Sequence, residues 1–305
     1  MRPFARWLFA LAAILCVFST GAKPYWQSRL QVSIASSVGC SQATTFLART
    51  SGLDATHQSA YTTFICNLVA QGVWAKMDIV YVFATADTTT AGLNLVSTSF
   101  TGATAGSPTF TADAGYTGVN ASTTVFFNST FNPTTATTPQ FTQNSSHVSA
   151  WSNTNAAAVS NGGVVVGLGS GAGLAAPNTS LFPKFNDGKA YYRINDGSSS
   201  AGVTNANSTG HYLANRSGAS TQQGYKNAVD QGVVSQTSGT PANGPMYILA
   251  VDDVITGVPN PAFGAGYQVM MATIGGSLSA GDVTNLCHET NTYLNTIGGI
   301  SSGIC

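Results

Sequence analysis

Hydrophobic residues change their spacing along this chain, and each change marks an expected element. Trp7 to Phe18 is an unbroken apolar run. From residue 54 the spacing becomes helical. Asp54 suits an N-cap, Tyr61, Phe64, Ile65, Leu68 and Val69 share one stripe, and Gly72 fits the C-terminal stop, so a helix is expected over 54–72. Asp78 to Ala86 (DIVYVFATA) is apolar for the length of a strand, which points to a strand buried on both faces. Leu93–Ser97 and Pro108–Ala112 are shorter strand candidates.

Beyond Gly118 the pattern becomes short strand-like runs separated by turn residues. Thr123–Phe127, His147–Trp151, Gly163–Leu168, Lys189–Ile194, Gly210–Arg216, Tyr225–Val229, Met246–Val251 and Tyr267–Ile274 are such runs. Asn-Asp-Gly at 186–188 and again at 195–197 brackets one of them and predicts a hairpin turn at each end. Regular spacing of this kind belongs to a sandwich or barrel. A last helix is expected over 280–297. Ser279 and Asp282 form its capping signal, Val283, Leu286, Cys287, Thr290, Tyr293, Leu294 and Ile297 line one face, and Gly298-Gly299 ends it. Residues 23–50 show no period and read as a leader or linker before a single domain over 51–305.

Arg2 and Arg6 precede the first apolar run, and Ser19-Thr20-Gly21-Ala22 follows it with small residues, the layout of a signal peptide over 1–22. The run is shorter than the roughly 20 residues that a membrane span needs. Export places the protein outside the cell or in a periplasm, where Cys40, Cys66, Cys287 and Cys305 could form disulfides by any of three pairings. No Cys-x-x-Cys spacing points to zinc. The plainer reading of Cys66 and Cys287, slightly preferred, is a pair of small buried hydrophobes on helix faces.

Composition then narrows the chemistry. Charged residues are 7% of the chain, the formal net charge is zero and 43% of residues are hydrophobic. That excludes the disordered class, and the absence of basic blocks leaves no nucleic-acid footprint and no patch for anionic membranes. Glu289 is the single glutamate. Most glycosidases need two carboxyl groups flanking the scissile bond, so this chain has little with which to build such a site.

Ser146-His-Val-Ser-Ala-Trp151 resembles the first core strand of laminin-G-like domains, within the concanavalin A-like lectin/glucanase superfamily. Gly210-His-Tyr-Leu-Ala-Asn-Arg216 with Gly224-Tyr-Lys-Asn-Ala-Val-Asp230 resembles the next hairpin of these domains. Tyr267-Gln-Val-Met-Met-Ala-Thr-Ile-Gly-Gly-Ser-Leu-Ser279 with Asp282 resembles their closing strand and helix. The resemblance spans about residues 118–298. It implies an all-β, two-sheet antiparallel jelly-roll sandwich carrying one N-terminal and one C-terminal helix. The front portion around DIVYVFATADTTTAGLNLV looks like uncharacterised proteins of bacteriophages and prophages. Together these imply a carbohydrate- or surface-binding protein, a tail or adhesion component included, with a virion as the alternative location. Partners would then be a glycan or cell-surface polysaccharide, further copies of the chain or virion proteins.

The superfamily's Glu-x-Asp-x-(x)-Glu strand is absent, and Glu289 falls alone on the last helix, where a solvated position is the simplest reading. A polysaccharide lyase needs no glutamate pair. His211, Tyr212, Asn215, Arg216, Tyr225 and Lys226 supply its residue types, but its Gln-Ile/Val-His and Tyr-x-Lys-x-Gly-x-Tyr patterns are missing. Binding asks for less. On Lys189–Ile194, alternation puts Ala190, Tyr192 and Ile194 on a core face, leaving Tyr191 and Arg193 together on the other, an aromatic beside a bidentate donor. The candidate ligand-binding set is therefore Tyr191, Arg193, His211, Asn215, Arg216 and Tyr225, with Trp151 assigned to the core. Calcium is common in laminin-G-like domains. Asp252-Asp253 is the candidate metal pair, while Asp187 and Asp196 are explained by their Asn-Asp-Gly turns. The glycine-rich stretch 162–173 leads into Pro177 rather than a helix, so it is no phosphate loop. The expected function is non-catalytic carbohydrate or cell-surface binding, with a purely structural virion or surface protein as the alternative and a polysaccharide lyase as a further one.

Overall fold

In the computed structural model the described residues are 39–158, 160–169, 177–197, 201–234, 236–254, 260–301 and 303–305. The expected signal peptide over 1–22 lies outside them. The described residues begin with α1 (Ser41–Leu47), α2 (Ala55–Ala70), β1 (Met77–Val82) and α3 (Thr88–Ala91), followed by β2 (Ala103–Ala105), β3 (Thr109–Thr111), β4 (Gly115–Thr117) and β5 (Phe126–Asn128). Next come β6 (Ser146–Ser152), β7 (Val166–Gly169), β8 (Asn178–Phe182), β9 (Lys189–Asp196), β10 (Val203–Thr204), β11 (Gly210–Gly218), β12 (Thr221–Lys226) and β13 (Val229–Val234). The last elements are β14 (Tyr247–Ile248), β15 (Val251–Asp253), β16 (Pro261–Ala262), β17 (Gln268–Gly275) and α4 (Ala280–Thr296).

The strands form two sheets. The first runs β13-β12-β11-β6-β17-β4-β3, with β1 beside β17. The second runs β10-β9-β8-β7-β14-β5-β2, with β15 against β7 and β16 against β15. Pairing is antiparallel throughout except for the parallel contact of β15 with β7. This is the expected all-β sandwich.

Alternation explains the layers. In β6, Val148 and Ala150 point into the core between the sheets, where they meet Leu168, Leu181, Tyr192 and Ile194 of the second sheet. Trp151 points the other way, into a second core that also holds Phe46, Tyr61, Phe64, Leu286 and Tyr293. Ile79 and Tyr81 of β1 join the first core while Val80 and Val82 join the second. That division is why β1 reads as an unbroken apolar run: helices cover one face of its sheet and a sheet covers the other. The capping signals hold as well. The Asp54 side chain accepts from the His57 backbone N–H, and Ser279 with Asp282 closes a full capping box.

Several expectations need correction. The stretch 41–47, expected within a leader, is helix α1, and Phe46 packs against Tyr61 at 4.8 Å between ring centroids. Cys40–Cys66 and Cys287–Cys305 are disulfides, with Cα atoms 5.5 Å and 5.9 Å apart, so Cys66 and Cys287 are not free thiols. Leu93–Ser97 is irregular: Asn94 replaces strand pairing by side-chain bonds to the carbonyl of Asp78 and the N–H of Val80. Tyr225–Val229 is not one strand. Asn227 and Ala228 both take positive φ, at 53° and 62°, and form the tight turn from β12 to β13. The second Asn-Asp-Gly is no hairpin turn either, since β9 runs on through Asp196.

Glu289 is 4% exposed rather than solvated. Its carboxylate accepts from the amides of Asn67 and Gln71, each at 2.8 Å, and so ties α4 to α2. His57 makes a similar tie. Its ring nitrogens lie 3.0 Å from Asp54 and 2.7 Å from Asp113 in the β3–β4 turn. Burial opposes the imidazolium charge, but the hydrogen bonds to Asp113 and Asp54 outweigh it and raise the His57 pKa above its ordinary value.

Candidate functional site

Helices cover the outer face of the first sheet, so the outer face of the second is the place to look for a ligand surface. There, β8 and β9 form a hairpin through the first Asn-Asp-Gly. Gly188 takes φ 77° and donates its N–H to the Phe185 carbonyl at 3.0 Å, the left-handed position that a glycine occupies without strain. Asp187 organises the start of the returning strand. One carboxylate oxygen accepts from the Lys189 N–H at 3.0 Å, and the other accepts from the Tyr191 hydroxyl at 2.6 Å.

Register and alternation then assemble an aromatic group. Phe182 pairs across the hairpin with Tyr191, and Ser180 with Arg193. Ala190, Tyr192 and Ile194 are buried between the sheets, whereas Tyr191 and Arg193 are half-buried on the outer face, as the period of two requires. Phe182 meets Phe185 at 5.4 Å and Tyr191 at 5.9 Å, and Phe185 meets Tyr191 at 6.1 Å, all edge to face. The Arg193 guanidinium lies over the Tyr191 ring at 4.9 Å and over Phe182 at 6.0 Å, within cation–π range. Burial lowers the pKa of Arg193, with the charge of Asp196 opposing it. Gly202 belongs to the site for a steric reason: a Cβ there would stand 2.7 Å from Cζ of Tyr191.

Phe182, Phe185 and Gly202 were missed by sequence reasoning. The phenylalanines were legible in principle, because Phe-Pro-Lys-Phe runs directly into the first Asn-Asp-Gly turn. Gly202 left no signal, since its role depends on where the chain returns beside Tyr191.

The other expected ligand-binding residues do not join this face. His211, Asn215, Arg216 and Tyr225 are 2%, 2%, 0% and 4% exposed. His211 stacks on Trp151, and Asn215 exchanges two hydrogen bonds with the Leu278 backbone. Arg216 pairs with Asp196 at 3.0 Å, both fully buried between the sheets. Burial pushes His211 down to about 3 and raises the Tyr225 phenol. These four residues are therefore structural, and the lyase constellation drawn from them has no access to a polymer. The physical reason is layering: β11 and β12 are covered by helices on one side and by the second sheet on the other.

Asp252-Asp253 also fails to converge. Adjacent strand residues face opposite sides, and among the described residues no group of three metal-ligating side chains forms. Asp252 is fully buried; one oxygen accepts from the Asn260 N–H at 2.8 Å while the other has no partner among the described residues. Burial raises its pKa to about 6. Because the folded pKa lies above the ordinary carboxylate value, the fold favours the protonated acid. Stability from this group is present at low pH and is lost as pH rises through about 6. Asp252→Asn should therefore raise stability at pH 7 by about 1–2 kcal/mol and by much less near pH 4. Urea titrations at both pH values check this; an equal effect at both would remove the ionisation argument.

No protein-family model matches the chain, and no curated protein matches it. Solved structures that align with part of the chain include three. Domain 4 of AbnA, a GH43 extracellular arabinanase from Geobacillus stearothermophilus in complex with arabinotriose, is 15% identical over 70% of this chain and 98% of its own, with a TM-score of 0.37. The binding domain of Paraclostridial Mosquitocidal Protein 1 is 11% identical over 71% of this chain and 53% of its own, with a TM-score of 0.46. Trypanosoma rangeli sialidase in complex with 2,3-difluorosialic acid is 9% identical over 77% of this chain and 40% of its own, with a TM-score of 0.34.

Proposed function

We propose that the protein is a non-catalytic carbohydrate-binding protein that engages a cell-surface glycan through the outer face of the second sheet. The observation that carries this reading is the Phe185–Tyr191–Arg193 group, half-buried on the outer face of the second sheet, where no helix joins its cluster among the described residues. Sugars are held by stacking their C–H faces on aromatic rings and by a few planar polar groups, and no shifted pKa is needed. Exported placement suits the two disulfides. An adhesion or tail-type role follows if the glycan belongs to another cell.

The test is a glycan array followed by calorimetry on the hits. Wild-type protein should bind a defined set of glycans, and Tyr191→Ala should weaken them about fivefold or more while its circular dichroism spectrum stays that of the folded protein. A large assembly that binds no glycan would instead mark a purely structural surface protein.

A further inference from the structure

Arg193 differs from the other described arginines in what its guanidinium touches. Arg49 donates to the carbonyls of Ser97, Asn94 and Leu95. Arg216 donates to Asp196, Gln222 and the carbonyls of Ile194 and Gln236. Arg193 makes no side-chain hydrogen bond with any described residue, and its buried Nε has no partner among them. What holds it is the pair of rings beneath, Tyr191 and Phe182. Stacking fixes the plane of the guanidinium yet fills none of its donors.

A fixed planar fork with open donors is matched by a carboxylate, which accepts two parallel bonds from it. A neutral hydroxyl offers the fork a single oxygen rather than two acceptors side by side. The neighbouring charges leave the fork open to an acid. Lys189 is exposed on the same face and adds positive charge. Asp187 is the acid in contact with this aromatic group, and it is engaged by the Tyr191 hydroxyl. Asp196, the other carboxylate felt by Arg193, is buried against Arg216. The half-buried rings reduce competition from water, which strengthens a charge-assisted bond relative to one on an open surface.

We infer that Arg193, clamped on Tyr191 and Phe182, is the carboxylate-recognition point of this face, so the preferred ligands are acidic saccharides bearing uronic- or sialic-type carboxyl groups. This rests on the carbohydrate-binding reading above and narrows it.

The experiment uses paired oligosaccharides: galacturonate, glucuronate and mannuronate oligomers, and a sialylated oligosaccharide, each beside its carboxyl-reduced counterpart. Calorimetry on the full chain should show at least one acidic member bound about tenfold or more tighter than its reduced partner. Arg193→Gln should bring that acid down to the level of the reduced form. Arg193→Lys should recover only part of the difference, because an ammonium lacks the fork. Asp187→Asn should strengthen the acid about twofold by removing the opposing charge. Circular dichroism melts confirm that each variant is folded. Equal binding of acid and reduced forms by wild type would overturn the carboxylate inference and leave the glycan platform standing. A preference that survives Arg193→Gln would overturn the assignment to Arg193. Binding of neither member of any pair, together with an empty glycan array, would overturn both readings.

Discussion

Arg216→Met should lower the stability of the fold by about 3–5 kcal/mol, because it leaves Asp196 charged and buried without its cation. Both side chains are fully buried, and their N–O distance is 3.0 Å. The guanidinium does more than neutralise. Its Nε donates to the Ile194 carbonyl at 2.7 Å and Nη1 to that of Gln236 at 3.0 Å, so it ties β11 of the first sheet to β9 of the second. Urea denaturation reads the loss directly. Should the single variant fail to fold, Asp196→Asn/Arg216→Met decides the matter, since it removes the stranded charge and should recover part of the stability. A single variant within about 1 kcal/mol of wild type would show that the pair does not hold the sheets together.

Acid should unfold the protein through two histidines, losing on the order of 3 kcal/mol through each. His147 is fully buried, with Nδ1 donating to the Gly276 carbonyl at 2.6 Å and Nε2 3.1 Å from the Thr273 hydroxyl. Burial pushes it down to about 4, against the pull of the Gly276 carbonyl. His211 is pushed to about 3 by burial, with His147 adding to the effect. Both folded values lie below the ordinary imidazole value. Their contribution is therefore present above about 6.5 and is lost as pH falls, because the unfolded chain gains protons that the folded chain refuses. The loss proceeds from about pH 6.5 and is complete below the folded values of about 4 and about 3. His57 works the other way, since its raised pKa favours the protonated fold. Thermal melts between pH 7.5 and 4 should fall steeply, and His211→Phe, which keeps a ring against Trp151, should flatten the slope. An unchanged slope in that variant would exclude His211 as a source.

Local physics made much of this molecule legible. The stripe from Tyr61 to Val69, the caps at Asp54 and Ser279 and the alternation of Lys189–Ile194 each depend on residues a few positions apart. The structure keeps all of them. The first Asn-Asp-Gly turn is kept for the same reason, and it positions Tyr191 and Arg193 on one face. The second shows where such reasoning stops. Asn195-Asp196-Gly197 carries the same turn chemistry, yet β9 continues through Asp196, whose carboxylate meets Arg216 across the sandwich. That charge pair competes with the local turn preference, and nothing within a few residues of Asp196 announces it.

The same boundary separates the site residues. Sequence by itself determined the sandwich, the faces of its strands, the terminal helices and the pairing of an aromatic with an arginine at 191 and 193. It also showed that the chain carries a single glutamate and no Glu-x-Asp-x-(x)-Glu strand. Only the tertiary structure decided which polar groups are buried and which stay half-exposed. His211, Asn215, Arg216 and Tyr225 look as available in the chain as Tyr191 and Arg193 do. They lie on strands enclosed on both sides, so their side chains meet other layers rather than solvent, and this makes them structural residues. Glu289 follows the same rule, closing α4 onto α2 through Asn67 and Gln71. Burial is a non-local property set by which layers stack on which, and a strand's own period of two cannot report whether its second face meets water or another layer.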